Sequence, residues 1–209
     1  SDLQGKCDSI HTNQETGLTK LYRNPVIWSD QNQITGDTIY LKSNIDTEKL
    51  DSLKVFNNSF IASKDSLSIN DFNQIKGRNM FGRFEKNKLR NLLVKGNAQS
   101  VYYNRNEETN VIETITKEIS SNIEFVLAKG IIESIKYLKA SDGKTYPPSM
   151  LPEDVKKLKG FIWRESEQPK KMEDIFTIDS NEKKAPIKKK KKAKKNPAVF
   201  DEKPSRKGK

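Results

Sequence analysis

NQITGDTIYL, running from Asn32 to Leu41, returns as NQIKGRNMFG from Asn73 to Gly82, and a fainter copy, EISSNIEFVL, runs from Glu118 to Leu127. Thr38, Asn79 and Asn122 correspond, as do Ile39, Met80 and Ile123, at offsets of 41 and 43 residues. A second phrase follows each copy: SLKVFNN from Ser52, NLLVKGN from Asn91 and SIKYLKA from Ser134. The repeat therefore spans about forty residues and reads as a pair of short strands, not a helical hairpin. A unit that cannot bury its apolar face alone stacks on its neighbours, which predicts a long β-surface or trough and no catalytic pocket.

Alternation within each unit has period two. Ile39, Leu41, Leu53 and Val55 fall on one face, with Tyr40, Lys42, Ser52 and Lys54 on the other. Met80, Phe84, Leu92 and Val94 continue the apolar face in the next unit, and Ile123, Phe125, Leu127, Ile135 and Tyr137 in the third. Such alternation buries one side of a sheet and wets the other. Polar connections join the strands at Asp46–Asp51, Glu85–Arg90 and Ala128–Gly130. Asn57-Asn58 and Gly96-Asn97 tolerate positive φ and mark a corner or bulge, and Asn24 occupies the equivalent place in an earlier half-repeat. That half-repeat, Thr19–Ser29, is expected as one strand at an edge or broken at Pro25. Residues 1–17 are polar without a periodic apolar pattern, and a chain opening on half a repeat without Met reads as a fragment or processed form.

The repeat pattern is expected to end near Asp142, where Asp142-Gly143, Pro147-Pro148 and Pro152 read as a turn and an irregular extended crossing. Pro152, Glu153 and Asp154 open a short helix over Glu153–Leu158, and Phe161 and Trp163 follow as apolar anchors capping the last strand. From Gln168 onward, low complexity and lysine content predict a disordered tail. The domain plan is thus 1–17, 18–167 and 168–209.

Charge sharpens this plan. Between Lys183 and Lys209 there are 13 Lys and Arg against 2 Asp and Glu; of the chain's 39 basic and 28 acidic residues, 26 of each remain in the body. The whole +11 belongs to the tail, and the mean hydropathy of −0.84 owes part of its low value to it. Lys188–Lys192 with Lys194-Lys195 reads as an electrostatic tether to an anionic surface. Nucleic acid is not expected as a partner: that reading needs interleaved aromatics or a basic folded face, and the body looks neutral with one aromatic, Phe200, in the tail.

No enzyme signature emerges. His11 is the single histidine and lies away from Cys7 on any regular spacing, so neither a nucleophilic triad nor a metal site can be assembled. Glu107, Glu108 and Glu113 read as a solvated hairpin extension between strands ending near Asn104 and beginning near Glu118. Gly77, Gly82 and Gly96 are spaced by the repeat and not as a phosphate loop, and no cofactor is implied. One cysteine settles no redox compartment. The apolar face admits two readings: a filled sandwich core, or two sheets splayed around a groove wide enough for acyl chains.

The repeated NQ-I-x-G-x-x-(I/M) phrase, the Lys-Leu-x-x-Leu hairpin leading into Val-x-(N/G)-Asn, and the closing LKGFIWRESEQP (Leu158–Pro169) resemble the OstA-like proteins of Bacteroidota. These are relatives of the LptA-type periplasmic lipopolysaccharide-transport proteins. The resemblance covers about Leu18–Lys170. It implies an all-β, stacked-strand β-jellyroll, or β-taco, whose V-shaped strand pairs enclose a hydrophobic groove. It further implies a periplasmic, non-enzymatic role at the outer membrane, shielding lipid A acyl chains. Modules of this kind join edge to edge, ending at an outer-membrane translocon. The groove-lining class then comprises Ile39, Leu41, Leu53, Val55, Met80, Phe84, Leu92, Val94, Ile123, Phe125 and Ile135. The Lys-rich tail and proline-rich closing segment depart from the compact LptA pattern.

Overall fold

A computed structural model describes residues 3–68, 70–106, 108–128, 131–171 and 174. The fold lies in Ser1–Lys170, one of two units into which the chain divides. Most of the other, including the expected Lys-rich tail, lies outside the described residues.

Twelve strands form one antiparallel sheet: β1 (Leu3–Lys6), β2 (Ser9–Asn13), β3 (Leu18–Tyr22), β4 (Val26–Ser29), β5 (Asn32–Thr35), β6 (Thr38–Ser43), β7 (Leu50–Lys64), β8 (Phe72–Glu85), β9 (Lys88–Arg105), β10 (Ile112–Ala128), β11 (Ile131–Leu138) and β12 (Asp142–Tyr146). Their pairing divides into two arms. One runs β2-β3-β6-β7-β8-β9-β10-β11 and the other β1-β4-β5-β7-β8-β9-β10-β12. Four long strands, β7 to β10, belong to both arms and bend between them; the remaining strands meet end to end at the same fold line. The architecture is therefore eight V-shaped rungs, the β-jellyroll that the family resemblance implied and a form of the long β-surface expected from the repeats.

The fold line is written in backbone chemistry. Register shifts fall between Phe56 and Ser59, Lys76 and Asn79, and Ser120 and Asn122, so each long strand loses its regular pairing where it turns. On every second rung the corner is a pair of left-handed residues: Arg23-Asn24, Asn57-Asn58, Gly96-Asn97 and Lys139-Ala140. Left-handed backbone costs a non-glycine residue about 1–2 kcal/mol, least for asparagine. Asn24, Asn58 and Asn97 thus share one role, as their spacing predicted. The intervening rungs answer with side-chain acceptors. Asn79 Oδ1 accepts from the Asn57 N–H at 3.0 Å and Asn122 Oδ1 from the Gly96 N–H at 3.2 Å. Gly36 and Gly77 complete the corner because an added Cβ would sit 2.3 and 2.5 Å from Val55 and Val94 Cγ1.

After β12 the chain crosses back over the outer side of the second arm. This strap, residues 147–169, contains one helical turn, α1 (Glu153–Lys156), flanked by 3-10 turns at Pro148–Met150 and Glu165–Glu167. It is held by the glutamines of the repeated phrase. Gln33 Nε2 donates to Ile162 O at 2.6 Å while its Oε1 accepts from Arg164 N at 2.6 Å. Gln74 repeats the grip on Lys156 O and Leu158 N, at 2.6 and 2.8 Å. Both glutamines are buried, so each side-chain amide satisfies two strap backbone groups that would otherwise be stranded.

Several expectations are corrected. The segment 1–17, read as lacking a periodic pattern, contains β1 and β2, whose short and largely exposed strands carry too few apolar residues to show a period. Thr19–Ser29 is two strands, broken at Arg23-Asn24. The pattern continues past Asp142, because β12 pairs with β10 from Ile115 to Ile119. The helix stops at Lys156, since Lys157 is extended. β10 begins at Ile112, so Glu113 lies within a strand; Glu108 is exposed in the turn, and Glu107 is outside the described residues.

Gln74→Ala removes both bonds to the strap and strands a buried carbonyl and N–H. Unsatisfied groups cost about 1–3 kcal/mol each, so urea denaturation is expected to show a loss of about 2–6 kcal/mol. The same change at exposed Gln31 is expected to be nearly silent.

Candidate functional site

The interior of the V is lined by side chains from both arms. Ile39, Leu53, Val55, Met80, Leu92, Val94, Ile123 and Phe125 are buried there together with Leu21, Ile27, Ile61 and Ala98. Leu41, Phe84 and Ile135 pack against this cluster while remaining half-buried. All eleven residues singled out from the sequence therefore converge on one apolar interior. Along β6, β8 and β10 burial is complete nearest the fold line, at Ile39, Met80 and Ile123. Toward the arm tip, Leu41, Phe84, Leu89, Leu127 and Ile132 are only half-buried. Burial in the interior is therefore complete along the keel and partial at the arm tip.

A second cluster lies under the strap. Phe60, Ala62, Phe72, Val101, Tyr103 and Ile115 on the outer side of the sheet meet Val155 and Leu158, with Leu151, Phe161 and Trp163 packed beside them. Phe161 and Trp163 are anchors, as expected, but they do not cap the last strand. They pack against Phe72 on β8, Phe161 edge-on and Trp163 tilted, with ring centroids 5.0 and 4.9 Å away. Burial, reinforced by Asp71, Asp65 and Glu153, pushes the Tyr103 phenol up to about 12. We term this half of the V the clad arm and the other the bare arm.

The strap reaches the first rung through Arg164. Its guanidinium grips Glu167 in two bonds of 2.6 and 2.7 Å and also donates to Asn24 O at 3.1 Å. Lys6 lies 3.5 Å from the same carboxylate, and Gln4 Nε2 donates to Pro169 O at 3.1 Å. The Arg164 hydrogen bond holds the Glu167 carboxyl below the ordinary carboxylate range despite partial burial. Glu165 is lowered as well, first by the Trp163 indole and then by Lys64.

A cleft of about 440 Å³ lies between the strap and the β7–β8 turn, lined by Trp28, Asn32, Lys64, Asp65, Trp163 and Glu165 among others. Of its charged groups, Lys64 is engaged with Glu165 at 3.0 Å and Asp65 with Arg105 at 2.5 Å. His11 is exposed on β2 opposite Lys20. Among the described residues, no three of His, Cys, Asp and Glu are arranged to hold a metal.

One expectation about the body is overturned. Its net charge is zero, yet the outer side of the bare arm combines aromatic and basic side chains. Tyr22, Tyr40, Phe56 and Phe81 form an edge-to-face ladder across four neighbouring strands, with centroids 6.2, 5.2 and 6.2 Å apart. Lys20 lies over Tyr40 and Lys95 over Phe81. Composition averages over the surface, and only strand register reveals which charges share a side.

The architecture has a solved counterpart. LptH of Pseudomonas aeruginosa is described as the LptA-homologous periplasmic component of the conserved lipopolysaccharide transport device. It is 12% identical, with a TM-score of 0.51, and the match covers 69% of this chain and 95% of that one. At this identity the likeness is one of fold. No family model matches the sequence, and no curated protein does.

Carboxyls lowered in the folded state stabilise it fully above their unfolded value near 4.5 and cease to do so as pH falls through the lower folded value. Acidification from neutrality to below pH 4.5 is therefore expected to loosen the strap's end. Amide protection factors, corrected for the intrinsic fall of exchange in acid, should drop at Arg164–Gln168 before those of β8 and β9. In Glu167→Gln the acid-induced loss of protection should shrink, because that carboxyl no longer titrates.

Proposed function

We propose that the chain is a non-enzymatic, periplasmic component of lipopolysaccharide transport to the outer membrane, an OstA-like module of the Bacteroidota type. The observation that carries this reading is the eight-rung V with a continuous apolar interior, an architecture shared over 95% of LptH. Lipid A acyl chains enter at the mouth between the arm tips, past Leu41, Phe84 and Ile135. They lie along the row formed by Ile39, Leu53, Val55, Met80, Leu92, Val94, Ile123 and Phe125. Each methylene withdrawn from water contributes about 0.8 kcal/mol. The same residues pack on one another in the unloaded molecule, so loading parts the arms and replaces protein–protein contacts with protein–acyl contacts. That exchange between apolar partners is nearly neutral, which suits a carrier that must also release its cargo.

Among the described residues, the outer sides of the first and eighth rungs, β1 with β2 and β11 with β12, pair with no further strand. Edges of this kind recruit further β-modules by strand addition, ending at an outer-membrane translocon. The basic tail tethers the module to an anionic surface. Directionality comes from an energy source elsewhere in the pathway.

A second reading is favoured by one observation, the complete burial of eight of the eleven groove residues. On it, the interior is permanently filled and the protein is a scaffold subunit of an outer-membrane complex. A photo-crosslinking residue at Phe84 separates the two. Transport predicts adducts with lipopolysaccharide at Phe84 and few at Lys159, exposed on the strap. Adducts with protein alone at Phe84 would leave the scaffold.

A further inference from the structure

We propose that the outer side of the bare arm is a binding track for a linear anionic polysaccharide. Strand register places residues on this side without ambiguity. Lys20 pairs Tyr40, Tyr40 pairs Lys54, Lys54 pairs Phe81, Phe81 pairs Leu93, Leu93 pairs Glu124, and Glu124 pairs Lys136. Directly opposed residues share a face, so these seven residues form one transverse row. The neighbouring rows add Lys42, Arg83 and Lys95, again by register. Across these three rows six cations thus stand on six of the eight rungs, against one carboxylate, Glu124; Glu85, farther out on the same side, is paired with Arg90. Among the described residues none of the six is paired in a salt bridge. In a body with equal numbers of acids and bases, this is a strong segregation of charge. The opposite outer side is covered by the strap, whereas here Lys54, Arg83, Lys95 and Lys136 are exposed and the aromatic rings half-exposed.

Geometry selects the class of partner. Rungs advance about 4.8 Å each, and successive strands rotate by about 20–25°. A row of cations on such a surface winds as it advances. A flat bilayer would touch a few rungs at a time, whereas a flexible chain with recurring anionic groups can follow the whole row. The rings argue against stacked bases: each packs edge-to-face on a neighbour, and Lys20 and Lys95 sit 5.0 and 5.5 Å over Tyr40 and Phe81. The ladder instead stiffens the platform and holds the ammonium groups outward, leaving charge and hydroxyl contacts to bind the polymer. This track is on the opposite side of the sheet from the apolar interior, so it is independent of the lipid reading.

Lysine acetylation of the full chain, read residue by residue by mass spectrometry, tests the track. With dextran sulfate present, modification of Lys54 and Lys95 is expected to fall at least fivefold, while Lys159 on the strap is unchanged. Neutral dextran should protect neither. Protection confined to the tail lysines would overturn the proposal, as would stronger protection of Lys54 and Lys95 by a dT20 oligonucleotide or by phosphatidylglycerol vesicles at equal anionic charge. In a full-length Lys54→Glu, Lys95→Glu variant with an unaltered melting curve, affinity for dextran sulfate is expected to fall about tenfold. A Lys157→Glu, Lys159→Glu variant should keep it, and equal losses in the two would also count against the track.

Discussion

Every rung has to turn at the same line without abandoning its backbone hydrogen bonds, and the rest of the structure follows from how that turn is made. A strand bent sharply leaves N–H and C=O groups facing nothing, at a cost comparable to a lost hydrogen bond for each. Here the problem is divided between alternate rungs. One set adopts left-handed corners at Arg23-Asn24, Asn57-Asn58, Gly96-Asn97 and Lys139-Ala140. In the other, Asn79 and Asn122 supply side-chain oxygens to the exposed corner amides. Ser120 adds a further closure, its hydroxyl lying 3.2 and 3.1 Å from Leu138 O and Lys139 O. Because the corners align, apolar residues on either side of them face each other, and the interior is a consequence of the turn.

The repeat made much of this legible in advance. Period-two alternation marked the interior row, and asparagines in a fixed place marked the corners. Both depend on local rules that neighbouring residues obey together. The purpose of the glutamine in each NQI phrase was not legible, since Gln33 and Gln74 meet partners 131 and 84 residues away. The third copy has Lys117 where these glutamines stand, which is why it looked faint: there the strap is held by apolar contact around Ile115 and Val155. Nor could β1 and β2 be found from period alone. Their side chains are mostly exposed and their strand identity comes from pairing with Val26–Ser29 and Leu18–Tyr22.

The two arms also divide the molecule chemically. Between them lies the apolar cluster, outside one of them a second apolar layer under Phe161 and Trp163, and outside the other a cationic surface. The alternation read from the sequence lies on the bare arm, where the exterior is polar. On the clad arm the alternate positions are instead large and apolar, Phe60, Phe72, Val101 and Tyr103. Together with Ile61 and Ile75 facing the groove, they give those strands the continuous hydrophobic runs expected when both faces are covered.

Stacks of repeats held by neighbour contacts alone behave as one-dimensional chains and fray from whichever end is weakest. The crossing segment changes that statistics. It leaves the eighth rung at Tyr146, is clasped midway by Gln74 and Gln33, and finishes hydrogen-bonded to Gln4 on the first. Peeling either terminal rung away therefore strains a tie anchored at the other. A linear array becomes a single cooperative body whose two extremities melt together or not at all.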